Sequence, residues 1–399
     1  MAEELCEIHF DRRSQNRPIV LFLRLFNQAG ATVLAFPWRL ERGVTCTPPL
    51  MLDPSLSVEI TSDETDEHVS ASIRRRGPPP GLWRRATTGG WNYVRAFIKR
   101  LDKISQDDTA GRIKPWPAKP LPTPPPSVSI VIPTRDRADL LSRAVETLFE
   151  QADWPDKELV IVDNGSTEPE TFALFERIRQ AANAKIVRDD SPFNFSRLIN
   201  AGVRAARGDV IAIVNNDVET DNRDWITPLA AIACDPAVGV VGAKLLFGDG
   251  SVQHAGLTLG IRGLAGHAGT GRAADDPGPY GLLSTTRRVS AVTGACMFTR
   301  REIFDRFGGM DENYVVEFND VDYCLRLNAA GLAVIYAATS VLTHNEGSTR
   351  QSRPLREQEI RDRQRFMRQW GRLLIEDPYY PADLTIKDDS LAFLTTGDR

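Results

Sequence analysis

The chain has few cysteines, and no two of them are close together in sequence. Its 399 residues include five, at positions 6, 46, 234, 296 and 324, and none belongs to a C-x-x-C pair. An odd, scattered set argues against a disulfide framework and against a zinc knuckle. The acidic first residues lack the basic and apolar regions of a signal peptide, and no apolar run approaches the roughly 18 residues of a membrane span. We therefore expect a cytosolic protein whose contact with a membrane is at most peripheral.

An excess of positive charge is also missing. The formal net charge is -4 at pH 7, whereas a dedicated nucleic-acid-binding protein usually has a basic excess. We therefore expect no nucleic-acid partner. Arginine, lysine and aromatic side chains cluster between Arg74 and Arg100. Such a cluster can contact an anionic membrane surface or form a solvated face, and we favour the solvated face.

Two common nucleotide-binding motifs are absent. A dinucleotide-binding fold needs G-x-G-x-x-G at its first strand-to-helix turn, and a P-loop needs G-x-x-x-x-G-K-[ST]. The corresponding turn of this chain is Pro-Thr-Arg-Asp-Arg at residues 133–137, and no P-loop sequence occurs elsewhere. The sequence therefore disfavours both NAD binding and P-loop chemistry.

The length predicts two or three folding units. A proline-rich stretch marks the clearest boundary, and prolines favour an extended spacer, so we assign a linker to residues 111–126. Residues 1–110 contain short, partly alternating segments that predict a β-rich accessory region. Residues 127–349 form the main domain, and residues 350–399 form a helical C-terminal extension.

The main domain alternates predicted strands with amphipathic helices. Buried strands are expected at Val128–Ile132, Leu159–Val162 and Val210–Val214, with helical spacing of apolar residues between them. This alternation predicts an α/β fold with a mostly parallel sheet and helices on both faces. Polar residues follow all three strands, and ligands of such sheets bind beyond the carboxyl ends of the strands. The sequence therefore predicts one crevice at that edge.

The order of the motifs resembles that of glycosyltransferase family 2. The matching segments lie at residues 128–137, 160–166, 208–217, 292–296, 307–312, 319–326 and His344, and a segment at Pro192–Ser196 is similar to one in rhamnosyltransferase-like members. The resemblance covers residues 127–349. It implies the nucleotide-sugar-binding fold called GT-A and transfer with inversion at the anomeric carbon.

The resemblance also implies which residues contact the donor. Pro133, Thr134 and Arg135 would line the base and ribose, and Asp163 would accept a hydrogen bond from the base. Asp163 precedes Asn-Gly and could instead simply stabilise a turn. The full set of expected donor contacts is Pro133, Thr134, Arg135, Asp163, Asn164, Asn215, Asn216, Thr293 and Gly294. Thr293 and Gly294 would shape the sugar pocket, because small residues let a ligand approach the backbone.

The segment Asn215-Asn216-Asp217 occupies the position of the family's D-x-D motif. Hard divalent cations prefer oxygen ligands and commonly bridge a carboxylate to substrate phosphates. We therefore expect Asp217 to bind Mg²⁺ or Mn²⁺ directly, and Asn215 to bind ribose or water. His344 is a candidate metal or diphosphate ligand, although a lone histidine is often structural. Asn345 replaces the second histidine of a frequent His-His pair, so the ligand set is open.

Asp320 is the expected catalytic base. Inverting transfer needs a carboxylate that takes the proton of the acceptor hydroxyl. A helix N-terminus also favours acidic residues through its dipole, and that role is compatible with catalysis. Asp322 lies two residues further along the helix, so it should point away from Asp320 and have a supporting role.

Together these features predict a metal-dependent hexosyl- or deoxyhexosyltransferase. It would move a sugar from a nucleoside diphosphate to a hydroxyl of a glycan or lipid-linked glycan, in bacterial-type surface polysaccharide biosynthesis. Processive synthesis is disfavoured, since Gln364–Trp370 only approaches a Q-x-x-R-W motif. The alternative from another class is a noncatalytic nucleotide-sugar-binding scaffold; a nucleotidyltransferase is weaker still. The sequence does not identify the sugar, the nucleotide, the acceptor or the linkage.

Overall fold

The computed structural model describes residues 113–180, 183–345, 356–374 and 377–394, together with the backbone of six strands between residues 4 and 75. The basic and aromatic cluster noted above lies largely at residues 76–100, outside the described residues. Of the five cysteines, Cys234, Cys296 and Cys324 are described with their side chains, and all three are free thiols.

Six strands lie in the N-terminal region. They are β1 (Glu4–Arg12), β2 (Ile19–Phe26), β3 (Thr32–Leu40), β4 (Leu50–Leu52), β5 (Ser57–Ser62) and β6 (Val69–Arg75). They form two three-stranded antiparallel sheets, in the orders β4-β1-β6 and β3-β2-β5. The end of this region at residue 110 stays a prediction.

The main domain is built on one ten-stranded sheet. Eight strands follow the order β11-β18-β12-β17-β10-β7-β8-β9; β13 pairs with β12, and β16 pairs with β18. The strands of this domain are β7 (Val128–Thr134), β8 (Lys157–Asp163), β9 (Ala184–Arg188), β10 (Val210–Val214), β11 (Val218–Glu219), β12 (Val238–Leu246), β13 (Val252–His254), β14 (Leu257–Leu259), β15 (Ala265–His267), β16 (Arg287–Arg288), β17 (Cys296–Arg300) and β18 (Ala333–His344). β14 and β15 form a separate hairpin.

Seven α-helices lie in the described residues. They are α1 (Ala138–Val145), α2 (Pro169–Arg179), α3 (Phe195–Ala205), α4 (Ile226–Ala233), α5 (Arg301–Arg306), α6 (Asn319–Ala329) and α7 (Glu357–Trp370). Residues 146–150 continue α1 as a π-helical turn, and 3₁₀ turns occur at residues 261–263, 279–281 and 371–374. No helix in the described residues has both the length and the apolar character needed to cross a membrane.

Strand β7 shows why the sheet is covered on both faces. All seven of its residues are buried, and alternate side chains of a strand point to opposite faces. Val131 packs into one core with side chains of α3, α6 and α7. Ile130 and Ile132 pack into a second core with side chains of α1, α2 and α4. Burial of each such side chain stabilises the fold by about 1.5–3 kcal/mol. The predicted α/β class is confirmed.

The strand directions bring the predicted polar residues to one edge of the sheet. β10, β7, β8 and β9 are mutually parallel, so their carboxyl ends lie together. β17 is antiparallel to β10, with Cys296 opposite Val214. Residues 293–295, which precede β17, therefore lie at the same edge as residues 215–217, which follow β10. We call this the polar edge: Thr134, Asp163, Asn215–Asp217 and Thr293–Ala295.

Candidate active site

Hydrogen bonds connect the segments of the polar edge. Asn216 donates from Nδ2 to Thr134 Oγ1 at 2.9 Å. The backbone N–H of Asn215 donates to the carbonyl of Ala295 at 3.0 Å. One residue before Ala295, the N–H of Gly294 donates to Oδ2 of Asp320 at 2.8 Å. Thr134 on β7 is therefore connected to Asp320 on α6 through two short segments, residues 215–216 and residues 294–295.

Asp163 stabilises the turn after β8 and forms an ion pair with Arg188. It is 2% exposed; its Oδ1 accepts the N–H of Ser166 at 2.9 Å, and its Oδ2 accepts from the guanidinium of Arg188. Both oxygens are therefore engaged, and a nucleoside base would have to share one of them. Arg188, at the end of β9, is a residue that the sequence argument missed. No motif marked it, because its role depends on the parallel pairing of β8 with β9.

The other predicted donor contacts divide between ligand-facing and structural positions. Arg135 is exposed at the start of the loop, whereas Pro133 is buried within β7. Asn164 donates from Nδ2 to the carbonyls of Asp189 and Ser191, both at 2.9 Å. Asn164 therefore anchors the loop after β9, while Arg135 is free to reach a bound molecule.

Asp217 and His344 meet at the end of β18. The antiparallel pairing of β11 with β18 sets Val218 opposite His344, and Asn345 donates its N–H to the Asp217 carbonyl at 2.8 Å. This register brings His344 Nε2 to 3.0 Å from Asp217 Oδ1. The two residues are more than a hundred positions apart in sequence, and β-sheet pairing alone makes them neighbours.

Gln253 on β13 fixes the orientation of the His344 ring. His344 Nδ1 lies 2.6 Å from Gln253 Oε1, and Gln253 Nε2 donates back to the His344 carbonyl at 3.4 Å. With the amide held in this direction, Nδ1 must carry the proton in the neutral ring. Asn215 Nδ2 lies 3.4 Å from Nε2, as expected for a donor facing a lone pair. His344 therefore directs an Nε2 lone pair at Asp217. No sequence motif marks Gln253, since only the folded sheet sets it beside His344.

The Asp217–His344 pair is suited to a cation. Asp217 Oδ1 is buried and receives no hydrogen bond from the described residues, and in the neutral ring Nε2 faces it as an acceptor at 3.0 Å. Ligands at right angles around a divalent cation, each at about 2.1 Å, lie roughly 3 Å apart. The described residues contain no group of three or more His, Cys, Asp or Glu side chains arranged for a metal. A cation bound to Asp217 and His344 would therefore take its remaining ligands from phosphate oxygens and water rather than from further His, Cys, Asp or Glu side chains of the described residues.

Two further histidines lie close to this pair. His254, next to Gln253, is fully buried and faces His267 with an Nδ1–Nδ1 distance of 2.9 Å. Burial lowers the pKa of both, that of His267 to about 4. The neighbouring Arg287 cation disfavours protonation of His254 further. Both rings are therefore neutral at pH 7.

Asp320 has an environment suited to proton transfer. Its Oδ2 accepts the Gly294 N–H, and its Oδ1 accepts the N–H of Val321 at 2.8 Å. Burial raises the pKa of Asp320, and these hydrogen bonds oppose the rise without cancelling it. Asp322 is fully buried on the other side of α6, where Oδ2 accepts from Arg326 at 2.8 Å. The two carboxylates thus have separate surroundings, as the helical spacing predicts.

Comparison with known proteins identifies the domain. Residues 129–308 match the family model described as "Glycosyl transferase family 2". This part of the chain is a family 2 glycosyltransferase domain. The match includes the polar edge and ends before α6, so Asp320 and His344 lie beyond it. The expected GT-A class agrees with the sheet and its two covering layers.

The glycosyltransferase domain also has curated relatives. The chain is 39% identical over 267 residues to the O-antigen biosynthesis protein RfbC of Myxococcus xanthus, covering 65% of this chain but 20% of RfbC. It is 28% identical over 211 residues to the N-acetylglucosaminyl-diphospho-decaprenol L-rhamnosyltransferase of Mycobacterium tuberculosis, covering 48% of this chain and 67% of that protein. Among solved structures, the mannosyltransferase PcManGT of Pyrobaculum calidifontis, in complex with GDP-Man and Mn²⁺, has a TM-score of 0.45 and 20% identity, over 64% of this chain and 66% of that one.

Proposed function

We propose that this glycosyltransferase is an inverting enzyme that uses a divalent cation. It transfers a sugar from a nucleoside diphosphate to a hydroxyl of a glycan or lipid-linked glycan during surface polysaccharide biosynthesis. The observation that carries the proposal is the connected polar edge. Residues 215–216 contact Thr134 on one side and Ala295 on the other, and Gly294 holds the carboxylate of Asp320.

The nucleoside would bind along the ends of β7 and β8. Thr134 and the exposed Arg135 follow one another at the end of β7, and the Asp163–Arg188 pair lies at the neighbouring ends of β8 and β9. The diphosphate would lie towards Asp217 and His344, whose facing acceptors fit a cation. When bound, Mg²⁺ or Mn²⁺ offsets negative charge that develops on the departing diphosphate. Gln253 keeps the His344 ring turned towards that position.

Asp320 would act as the base. It accepts the proton of the acceptor hydroxyl while the hydroxyl oxygen forms a bond to the anomeric carbon. The bond from that carbon to the diphosphate oxygen breaks on the opposite face, and its electron pair leaves with the nucleoside diphosphate. One such displacement inverts the configuration. A raised pKa makes the Asp320 carboxylate a stronger base than a solvated aspartate, while the Gly294 N–H fixes one of its oxygens.

The relatives support the acceptor class. RfbC is named for O-antigen biosynthesis, and the mycobacterial relative is named for rhamnosyl transfer to a decaprenol-linked sugar. By analogy with these two names, we assign this chain a hexose or deoxyhexose donor and a glycan or lipid-linked acceptor.

A donor and acceptor panel tests the proposal. The chain would be mixed with UDP-, GDP- and dTDP-sugars, with Mg²⁺ or Mn²⁺, and with oligosaccharide and polyprenyl-diphosphate-linked acceptors. We expect one donor to raise the melting temperature most at equal concentration, and to give a product of inverted configuration by NMR. Donor binding with neither transfer nor hydrolysis across the panel would contradict the enzyme and favour the scaffold. A product with retained configuration would contradict the single displacement.

A further inference from the structure

The C-terminal helix α7 holds the segment that leads into α6. Asp362 on α7 is 1% exposed, and its Oδ2 accepts the backbone N–H groups of Val315, Val316 and Glu317 at 3.2, 2.7 and 3.0 Å. Its Oδ1 accepts from Gln358 Nε2 at 2.9 Å. Three consecutive N–H groups thus converge on one carboxylate, which satisfies donors that no strand or helix partner would satisfy.

Side chains next to Asp362 extend this contact towards the predicted base. Arg363 forms a two-point ion pair with Glu317, at 2.6 and 2.9 Å. Phe366 stacks on Phe318, with ring centroids 4.4 Å apart and an angle of 14° between the planes. Phe318 has a positive φ of 62°, a left-handed conformation that a bulky residue adopts only where its surroundings hold it there.

The far end of α7 holds α6 itself. Trp370 Nε1 and Gln369 Nε2 both donate to Oδ1 of Asp322, at 2.9 and 2.8 Å. Asp322 is one turn or less from Asp320, on the opposite side of the same helix. The contacts from Asp362 to Trp370 follow one face of α7, because residues three and four apart lie on the same side of a helix.

We propose that Asp362 is a positioning residue for Asp320. It fixes residues 315–317, which fix the left-handed Phe318, and Phe318 in turn sets where α6 begins and how Asp320 meets Gly294. The inference rests on the proposed function, since it assigns Asp362 a role through the proposed base. It gives the C-terminal extension a part in the transfer step, although α7 lies outside the segment that matches the family. Asp362 contacts none of the residues assigned to the donor.

Asp362→Asn and Asp362→Ala in the full chain test this role. Asn keeps one oxygen for the three N–H groups, whereas Ala keeps none. We expect kcat to fall in the order Asp, Asn, Ala, by about 10- to 100-fold for Ala, because small displacements of a reacting group have effects of this size. Calorimetry with the donor that the panel identifies measures the donor Kd and the number of donor sites per chain. Neither should change. A general folding defect would instead reduce the number of sites.

Arg361→Ala is the matched control. Arg361 is the neighbouring residue on α7 and forms an exposed ion pair with Glu357, so its loss should leave kcat and donor binding unchanged. An unchanged kcat in Asp362→Ala would overturn the inference. The inference would also be overturned if kcat in Asp362→Asn falls by the same factor as the number of donor sites per chain. If the wild-type chain transfers no sugar, the proposed function itself fails; a wild type that transfers, with an equally active Asp362→Ala, overturns only the positioning role.

Discussion

Asp217 Oδ1 and His344 Nε2 face each other at 3.0 Å at the junction of β11 with β18. His344 donates its Nδ1 proton to Gln253, so neither of the two facing atoms brings a proton to the contact in the neutral state. Two buried acceptors this close are costly unless a positive charge lies between them, and either a proton on Nε2 or a metal cation supplies that charge. The proposed cation site thus consists of Asp217 from the Asn-Asn-Asp segment and His344 from the end of β18.

Replacement of either facing residue should weaken the metal-dependent binding of the donor. We expect Asp217→Ala and His344→Ala each to lower the apparent affinity for Mn²⁺ by at least about 10-fold. Loss of a residue that merely hydrogen-bonds to a metal ligand already has an effect of about that size, so loss of a ligand should have no smaller one. Titration of Mn²⁺ at fixed donor concentration measures the effect. Asp221→Ala is the control, because the Asp221 side chain is fully exposed. An unchanged Mn²⁺ titration in Asp217→Ala would remove Asp217 from the ligand set.

Gln253→Leu should affect the same titration without removing a ligand. Leucine is similar in size but cannot accept the His344 Nδ1 proton, so the ring loses the partner that orients it. We expect the Mn²⁺ affinity to fall by about 10- to 100-fold, with recovery in Gln253→Glu, which restores the acceptor. Equal Mn²⁺ affinities for the Leu and Glu variants would show that the hydrogen bond has no influence on metal binding.

Asp320→Asn should remove transfer and retain donor binding. Asparagine keeps the shape and can still accept from Gly294, but it cannot take a proton. We expect kcat to fall by about 10²- to 10⁴-fold, the range for loss of a general base, with the donor Kd unchanged. Asp305→Asn, at an exposed position on α5, serves as the control. If Asp320→Asn turns over at the wild-type rate, another group is the base.

The same variant should be more stable than the wild type at neutral pH. Burial raises the pKa of Asp320 above its ordinary 3.8, so the folded chain holds this proton more tightly than the unfolded chain. The tighter proton binding adds to the free energy of unfolding below pH 3.8, and this contribution is lost as the pH rises through the pKa of the folded state. We therefore expect Asp320→Asn to raise the melting temperature at pH 7 but not below pH 3.8. A lower melting temperature at pH 7 would contradict this sign.

The acidic limb of the rate profile should report the same shift. If Asp320 is the base, kcat rises with pH through its pKa in the complex, and burial places that rise above the range of a solvated aspartate. Wild-type kcat measured from pH 4 upward checks this. If kcat does not change with pH over the acidic range, proton removal by Asp320 is not the rate-limiting step.

Local sequence was sufficient for the strands that carry the polar edge. The predicted strand Val210–Val214 has the same limits in the structure, and Val128–Ile132 extends by two residues to Thr134. Both are continuous apolar runs, and such runs have few alternatives in an α/β protein. The helical spacing of apolar residues between the strands corresponds, for example, to α3 at Phe195–Ala205.

Contacts between distant segments could not be predicted in the same way. Gln253, Arg188 and Asp362 have no distinctive sequence context, and each gains its role from a partner 25 or more residues away. Asp163 illustrates the same limit, because nothing in the sequence predicts its pairing with Arg188. Sheet pairing and helix docking, which depend on the whole chain, decide which side chains these residues meet.

The sequence by itself determined the α/β class, the order of the strands along the chain and the residue types available at their ends. These follow from apolar periodicity and from the polar residues that interrupt it. Only the tertiary structure decided that His344 turns its Nε2 towards Asp217, that Gly294 holds Asp320, and that α7 holds the start of α6. The physical reason is that hydrogen bonds act over about 3 Å, and the distance between residues far apart in sequence is set only when the sheet and its covering helices pack together.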